Sequence, residues 1–131
     1  MEKEKNIFID ENNIEWETWK NHQLKELSPV YWKTLVDKNI TKSTDVAAGV
    51  FILPENKTFI PHFHKQQEIY YIISGEGLLS VNKYDRKVEP GSTAVIPEKA
   101  EHSLKNTGYS EMKVFYVFSA DSFNEIDYNF T

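Results

Sequence analysis

Pro61-His62-Phe63-His64-Lys65-Gln66-Gln67-Glu68-Ile69-Tyr70 is the stretch on which the reading of this chain turns. Residues two apart in an extended strand project to the same face, so His62 and His64 stand side by side with Phe63 turned away. Glu68 opens the next apolar run, Ile69-Tyr70-Tyr71-Ile72-Ile73, and a tight bend between the two strands would return its carboxylate toward the imidazoles. Two imidazoles and a carboxylate converging on one point suit a divalent transition metal. The chain has four histidines. His102 returns well downstream, and His22, in a polar N-terminal stretch, reads as solvated.

Outward from that stretch the chain reads as strand and turn. Lys57 to His64 alternates, which predicts Ile60, His62 and His64 on one face and Phe59, Pro61 and Phe63 on the other. Val46 to Leu53 precedes it as an apolar run ending at Pro54. Glu68 to Ser74 follows, then a Gly75-Glu76-Gly77 turn, Leu78 to Val81, a turn at Asn82 to Asp85, and Arg86 to Glu89 stopped by Pro90-Gly91. Ser92 to Ile96, His102 to Asn106 and Met112 to Ser119 complete the series. Short strands at roughly 8–12-residue spacing argue a β-sandwich or barrel. Upstream, Val30 to Val36 is rich in β-branched and aromatic residues and predicts another strand. Asn12-Asn13 caps an expected short helix through Ile14, Trp16 and Trp19. Ile7, Phe8 and Ile9 form an apolar patch in an otherwise polar first segment, suited to a sheet edge or a subunit contact.

Composition narrows the function. A length of 131 residues makes one domain, large enough to bury a core. We divide it into an N-terminal segment, residues 1–40, and a barrel, residues 41–131. A net charge of −5 with no basic stripe argues against nucleic acid as partner. No apolar run approaches the roughly 18 residues of a membrane helix, and the charged first residues do not resemble a secretory signal, so cytoplasm is the expected location. With no cysteine, thiolate ligands and disulfides are excluded.

Two blocks of spacing carry a family resemblance. The first runs Asn56, five residues, His62-x-His64, three residues, Glu68, six residues, Gly75. The second runs Gly91, five residues, Pro97, four residues, His102, three residues, Asn106. Together they resemble the two motifs of the cupin superfamily over residues 56 to 106. The resemblance implies an all-β double-stranded β-helix, a jelly-roll barrel, with a metal in its mouth. It also implies His62, His64, Glu68 and His102 as the ligands. Asn56 and Lys99 stand where the motifs carry glycine. Asn visits left-handed backbone cheaply, whereas Lys pays roughly 1–2 kcal/mol there. The resemblance also suggests a homodimer, with Ile7 to Ile9, Trp16 and Trp19 as contacts.

Three nitrogens and a carboxylate leave positions open on an octahedral ion, as a catalytic metal needs. Ligand type does not choose among Fe(II), Mn, Ni, Zn and Co. Tyr70 lies two residues beyond Glu68, facing the same interior. A phenol beside a cation can have its pKa lowered and act as a general base on a small-molecule substrate. The ending Phe115 to Tyr128, together with Glu68-Ile69-Tyr70 and Ala100 to Asn106, is similar to the smaller cupin-type dimethylsulfoniopropionate lyases. That similarity implies a β-elimination with Tyr70 as base and Tyr128 as a second pocket tyrosine. Trp32, Tyr31 and Phe51 are candidate walls for a sulfonium, since aromatic faces attract cations. The rival readings are an Fe(II) dioxygenase, an isomerase, and a non-catalytic module binding a small ligand or sugar.

Overall fold

In the computed structural model, which describes residues 6–131, the strands assemble into two antiparallel sheets. The strands are β1 (Glu17–Thr18), β2 (Tyr31–Val36), β3 (Ala47–Leu53), β4 (Thr58–Phe63), β5 (Glu68–Ser74), β6 (Gly77–Val81), β7 (Tyr84–Val88), β8 (Thr93–Ile96), β9 (His102–Asn106), β10 (Met112–Phe118) and β11 (Asn129–Phe130). One sheet has the order β1-β2-β3-β10-β5-β8 and the other β11-β4-β9-β6-β7. Successive strands change sheets at β3 to β4 and β4 to β5, so the chain rolls around one interior as a jelly roll. Among the described residues no helix is long and apolar enough to cross a membrane.

Alternation builds the core. On β10, Met112, Val114, Tyr116 and Phe118 point inward and are buried, while Lys113, Phe115 and Val117 between them are not fully covered. On β5, Glu68, Tyr70 and Ile72 face in; Ile69, Tyr71 and Ile73 lie outside. Each fully buried large apolar side chain stabilises the barrel by roughly 1.5–3 kcal/mol relative to exposure. The β6–β7 turn at Asn82-Lys83 has φ of +49° and +69°, the two left-handed residues of a hairpin turn that matches strand twist.

Two expectations need correction. On β4, Phe59 and His62 are both buried, so the faces do not alternate through Ile60 and Pro61. Phe59 pairs with Leu104 and His62 with His102, leaving Ile60 and Pro61 opposite Ser103 alone. That is a β-bulge; Pro61 has no N–H to offer a ladder, and the Ile60 N–H donates instead to Ser28 Oγ at 3.0 Å. The helix expected from Asn13 through Trp19 is instead a 3-10 turn at Glu11–Asn13 followed by β1, because Glu17 and Thr18 pair with Trp32 and Tyr31. The α-helix comes later, α1 (His22–Leu27), with the Leu24 N–H donating to the Asn21 side chain at 3.2 Å. β2 pairs with β3 along its length, so residues 31–36 join the same sheet as the strands that follow.

Candidate metal centre

The site forms where β4 and β9 run side by side and the start of β5 faces them. His62 and His102 are direct register partners on neighbouring strands. His64 follows the end of β4, where its carbonyl accepts the Lys99 N–H at 2.9 Å and so ties the two motif blocks together. Lys99 reaches that position at φ +62°, and Asn56 has the same φ, so both non-glycine residues adopt the left-handed backbone. Glu68 opens β5, paired with Phe118 and Ile96.

The three rings share one hydrogen-bonding plan. His62 Nδ1 meets the Ile60 carbonyl at 2.7 Å, His64 Nδ1 the Gln66 carbonyl at 2.9 Å, and His102 Nδ1 the Ala100 carbonyl at 2.9 Å. A carbonyl only accepts, so each Nδ1 carries the proton and each Nε2 presents a lone pair. Such backbone partners fix tautomer and ring direction in metal-binding histidines. The ligand atoms of the three histidines lie within 4.8 Å of one another. Glu68 Oε1 stands 3.1 Å from His64 Nε2 and 3.3 Å from His102 Nε2. All four side chains are buried, and His62 Nε2 and His102 Nε2 have no hydrogen-bond partner. Buried polar atoms are normally satisfied. Two inward lone pairs left over beside a buried carboxylate are therefore the signature of a cation site, and the residues present fit a divalent ion. Burial, then the neighbouring His102, holds the His62 imidazole well below its ordinary 6.5, in the neutral form a ligand needs.

Beside the ligands lies a void of about 20 Å³, with Glu68 on its wall. Its other walls are mostly aromatic, including Trp19, Trp32, Phe51, Phe59, Phe123 and Tyr128. Trp32 and Phe51 line it, whereas Tyr31, on the opposite face of β2, does not and is 38% exposed. Tyr128 lies with its ring centroid 5.4 Å from His62 and 5.6 Å from His64. Tyr70 packs against Phe51 at 5.4 Å and His102 at 6.0 Å. In the chain alone, burial and then the Glu68 carboxylate hold the phenols of Tyr70, Tyr116 and Tyr128 above their usual range.

Four contributors escaped the sequence reading. Phe59 stacks on His62 at 4.2 Å and 17°, a contact the bulge creates; Pro61 was the signal for that bulge. Trp19, expected at a subunit contact, is turned into the barrel, where it meets Trp32, Phe59, Tyr128 and Phe130 edge-on. Trp16 stays exposed, with the buried Lys33 ammonium against its ring at 4.6 Å. Tyr116 and Phe123 complete the wall from β10 and the C-terminal segment. His22 is solvated, as expected, beside Glu26 at 3.7 Å.

Known proteins resemble this arrangement at several levels. Dimethylsulfoniopropionate lyase DddW of Ruegeria pomeroyi is 28% identical over 102 residues, covering 78% of this chain and 66% of that protein. An oxalate-binding protein of Thermotoga maritima is 32% identical over 66 residues, covering 50% of this chain and 54% of its own length. The chain thus spans about two thirds or less of these relatives. In fold, the polyketide cyclase RemF from Streptomyces resistomycificus superposes with a TM-score of 0.75 at 16% identity, over 100% of this chain and 86% of that one. The cupin domain family model, Cupin_2, matches residues 49–118, more than half of the chain and the span that holds all four candidate ligands. On that match, and on a jelly roll whose two motif blocks meet at three histidines and a glutamate, the chain belongs to the cupin family.

Proposed function

We propose that this protein is a metal-dependent enzyme acting on a small carboxylate, and that its reaction is a β-elimination of the dimethylsulfoniopropionate type. The observation that carries this reading is the juxtaposition of three inward Nε2 lone pairs with an aromatic-walled void that Glu68 lines and whose Phe59 and Tyr128 walls pack on the histidine rings. A zwitterion with a carboxylate at one end and a sulfonium at the other would find a partner for each end: cation at the histidines, aromatic faces at Trp32 and Phe51. The similarity to DddW points the same way.

In that reading His62, His64 and His102, with Glu68, would hold a divalent ion, which would supply Lewis acidity toward the substrate carboxylate. His62, His64 and His102 present Nε2 because their backbone partners hold Nδ1 protonated, and Glu68 balances charge beside them. Tyr70 takes the proton from the carbon next to the carboxylate. The C–H electron pair becomes the new double bond, the C–S bond breaks, and its pair leaves with dimethyl sulfide, so acrylate remains. Tyr128, against His62 and His64, orients the substrate. A phenol is a base only as phenolate, so Tyr70 gains that character when positive charge at the histidines offsets Glu68.

The test is release of dimethyl sulfide and acrylate by protein loaded in turn with Fe(II), Mn, Ni, Zn or Co. Release that vanishes in Tyr70→Phe while metal content persists supports the elimination; no release with any metal sinks it. A second reading, capture of a small dicarboxylate without turnover, draws on the tight void and on the oxalate-binding relative. Saturable oxalate binding by calorimetry, with substrate unchanged, would favour it. Oxygen uptake tied to Fe(II) would favour a dioxygenase instead.

A further inference from the structure

The chamber holds about 20 Å³, room for roughly one water and for no organic substrate. Any molecule that reaches Glu68 and the histidines beside it through this void must therefore displace part of its wall. A second, far larger hollow of about 890 Å³ lies open on the outside, between the N-terminal segment around Asp10 and Glu17 and the C-terminal segment around Asn124. The two hollows share four lining residues: Trp19, Trp32, Phe123 and Tyr128. Those side chains stand as the partition between the outer cleft and the void beside Glu68, whose carboxylate touches His64 and His102.

The four are not equally held. Trp32 sits on β2, which is paired on both sides by β1 and β3. Phe123 is tied through its backbone N–H to Asp37 Oδ2 at 2.9 Å. Tyr128 immediately precedes β11, which pairs with β4. Trp19 lies between the two-residue edge strand β1 and α1, and its indole is held by one hydrogen bond, Nε1–H to the Ser28 carbonyl at 2.7 Å. Its ring touches Trp32, Phe59, Tyr128 and Phe130 edge-on, so it is the piece that fills the partition.

We infer that Trp19 is the door of the chamber: molecules pass from the outer cleft to the histidines when its indole leaves the Ser28 carbonyl, and its bulk sets the size they can have. What lies behind the door rests on the metal-centre reading; the door itself does not. The class it admits is a molecule of a few heavy atoms with an apolar or cationic end to slide past aromatic edges.

The test uses the chain's own histidines as reporters. Metal-stripped protein is treated with diethyl pyrocarbonate, which modifies unprotonated imidazole nitrogens, and His62, His64 and His102 are read by peptide mass spectrometry against exposed His22 as internal standard. Trp19→Ala should raise modification of the three buried histidines by about tenfold or more relative to His22, because opening no longer needs the indole to move. Trp19→Phe, which keeps a ring but loses the hydrogen bond, should fall between that and the parent, and serves if the alanine variant does not fold. Leu79→Ala, a core truncation away from the partition, controls for general loosening. Rates in the folded Trp19 variants within about twofold of the parent, or a Leu79→Ala rate equal to that of Trp19→Ala, would overturn the inference. Repeating the treatment with Ni(II) or Zn(II) bound should protect all three histidines in every variant. Lack of protection would count against the metal centre alone and leave the door standing.

Discussion

The ring of Phe59 lies flat on the imidazole of His62, 4.2 Å between centroids and 17° between planes, although the two residues stand an odd number apart on one strand. Only the bulge at Ile60 and Pro61 makes this possible, since an unbroken strand would send them to opposite faces. The stack and the Ile60 carbonyl together fix the direction of His62 Nε2.

Phe59→Leu should therefore keep the fold but weaken metal binding by about tenfold, the usual effect of disturbing a group that orients a ligand. Competition against a fluorescent chelator measures it; an unchanged affinity would mean the stack does not orient the ring.

Removing a ligand should act more strongly. His102→Ala takes one of the three converging nitrogens and also a neighbour of the buried Glu68 carboxylate. Elemental analysis of the purified variant should show loss of stoichiometric metal, with circular dichroism still reporting a β-rich fold. Full metal content in that variant would remove His102 from the ligand set.

The C-terminal part of the chamber wall is held at a distance in sequence. The Ser122 hydroxyl and the Phe123 N–H both donate to Asp37 Oδ2 at 2.9 Å, and the Asn39 N–H donates to Oδ1 at 2.9 Å. Asp37→Ala should lower unfolding stability by about 1–3 kcal/mol by leaving these donors unpaired. Urea titration measures it; a loss below the error of the titration would mean water replaces the carboxylate. Next door, the Asp45 backbone N–H, aided by Lys38, holds the Asp121 carboxyl below its ordinary 3.8. The folded state thus favours the charged form, so this contribution is complete above pH 3.8 and fades as pH falls through the lowered value. Asp121→Asn should flatten the acid limb of the stability curve in that window.

Lys99 has a φ of +62° at a turn where its N–H donates to the His64 carbonyl. Lys99→Gly should relieve the left-handed strain and raise stability by up to about 1 kcal/mol, keeping the hydrogen bond. A melting temperature that falls instead would show that the gain in unfolded-chain freedom outweighs the strain.

The convergence of the candidate ligands was legible in the linear chain because every clue to it is local. His62-x-His64, Glu68 and His102 lie at spacings set by strand periodicity, and the turn residues that return them to one point sit within a few residues of each. The strands from Val30 onward were legible for the same reason: alternation and punctuation by Gly, Pro and Asn act over neighbouring residues. The faces of β4 were not, because a bulge is a property of two paired strands, and Leu104 and His102 decide it as much as Pro61 does. The first 28 residues misled for a related reason. Trp16 and Trp19 look like one amphipathic surface, yet Trp16 stays exposed against the buried Lys33 and the barrel's aromatic interior takes Trp19. Local pattern along the chain was enough for a rolled sheet and for four candidate ligands, three of which converge as histidines. The narrow void beside them, walled by Trp19, Phe123 and Tyr128 from the two ends of the chain, follows instead from how the sheets pack. Side chains separated by a hundred residues meet because the sheets bury them together, and no pattern along the chain records that meeting.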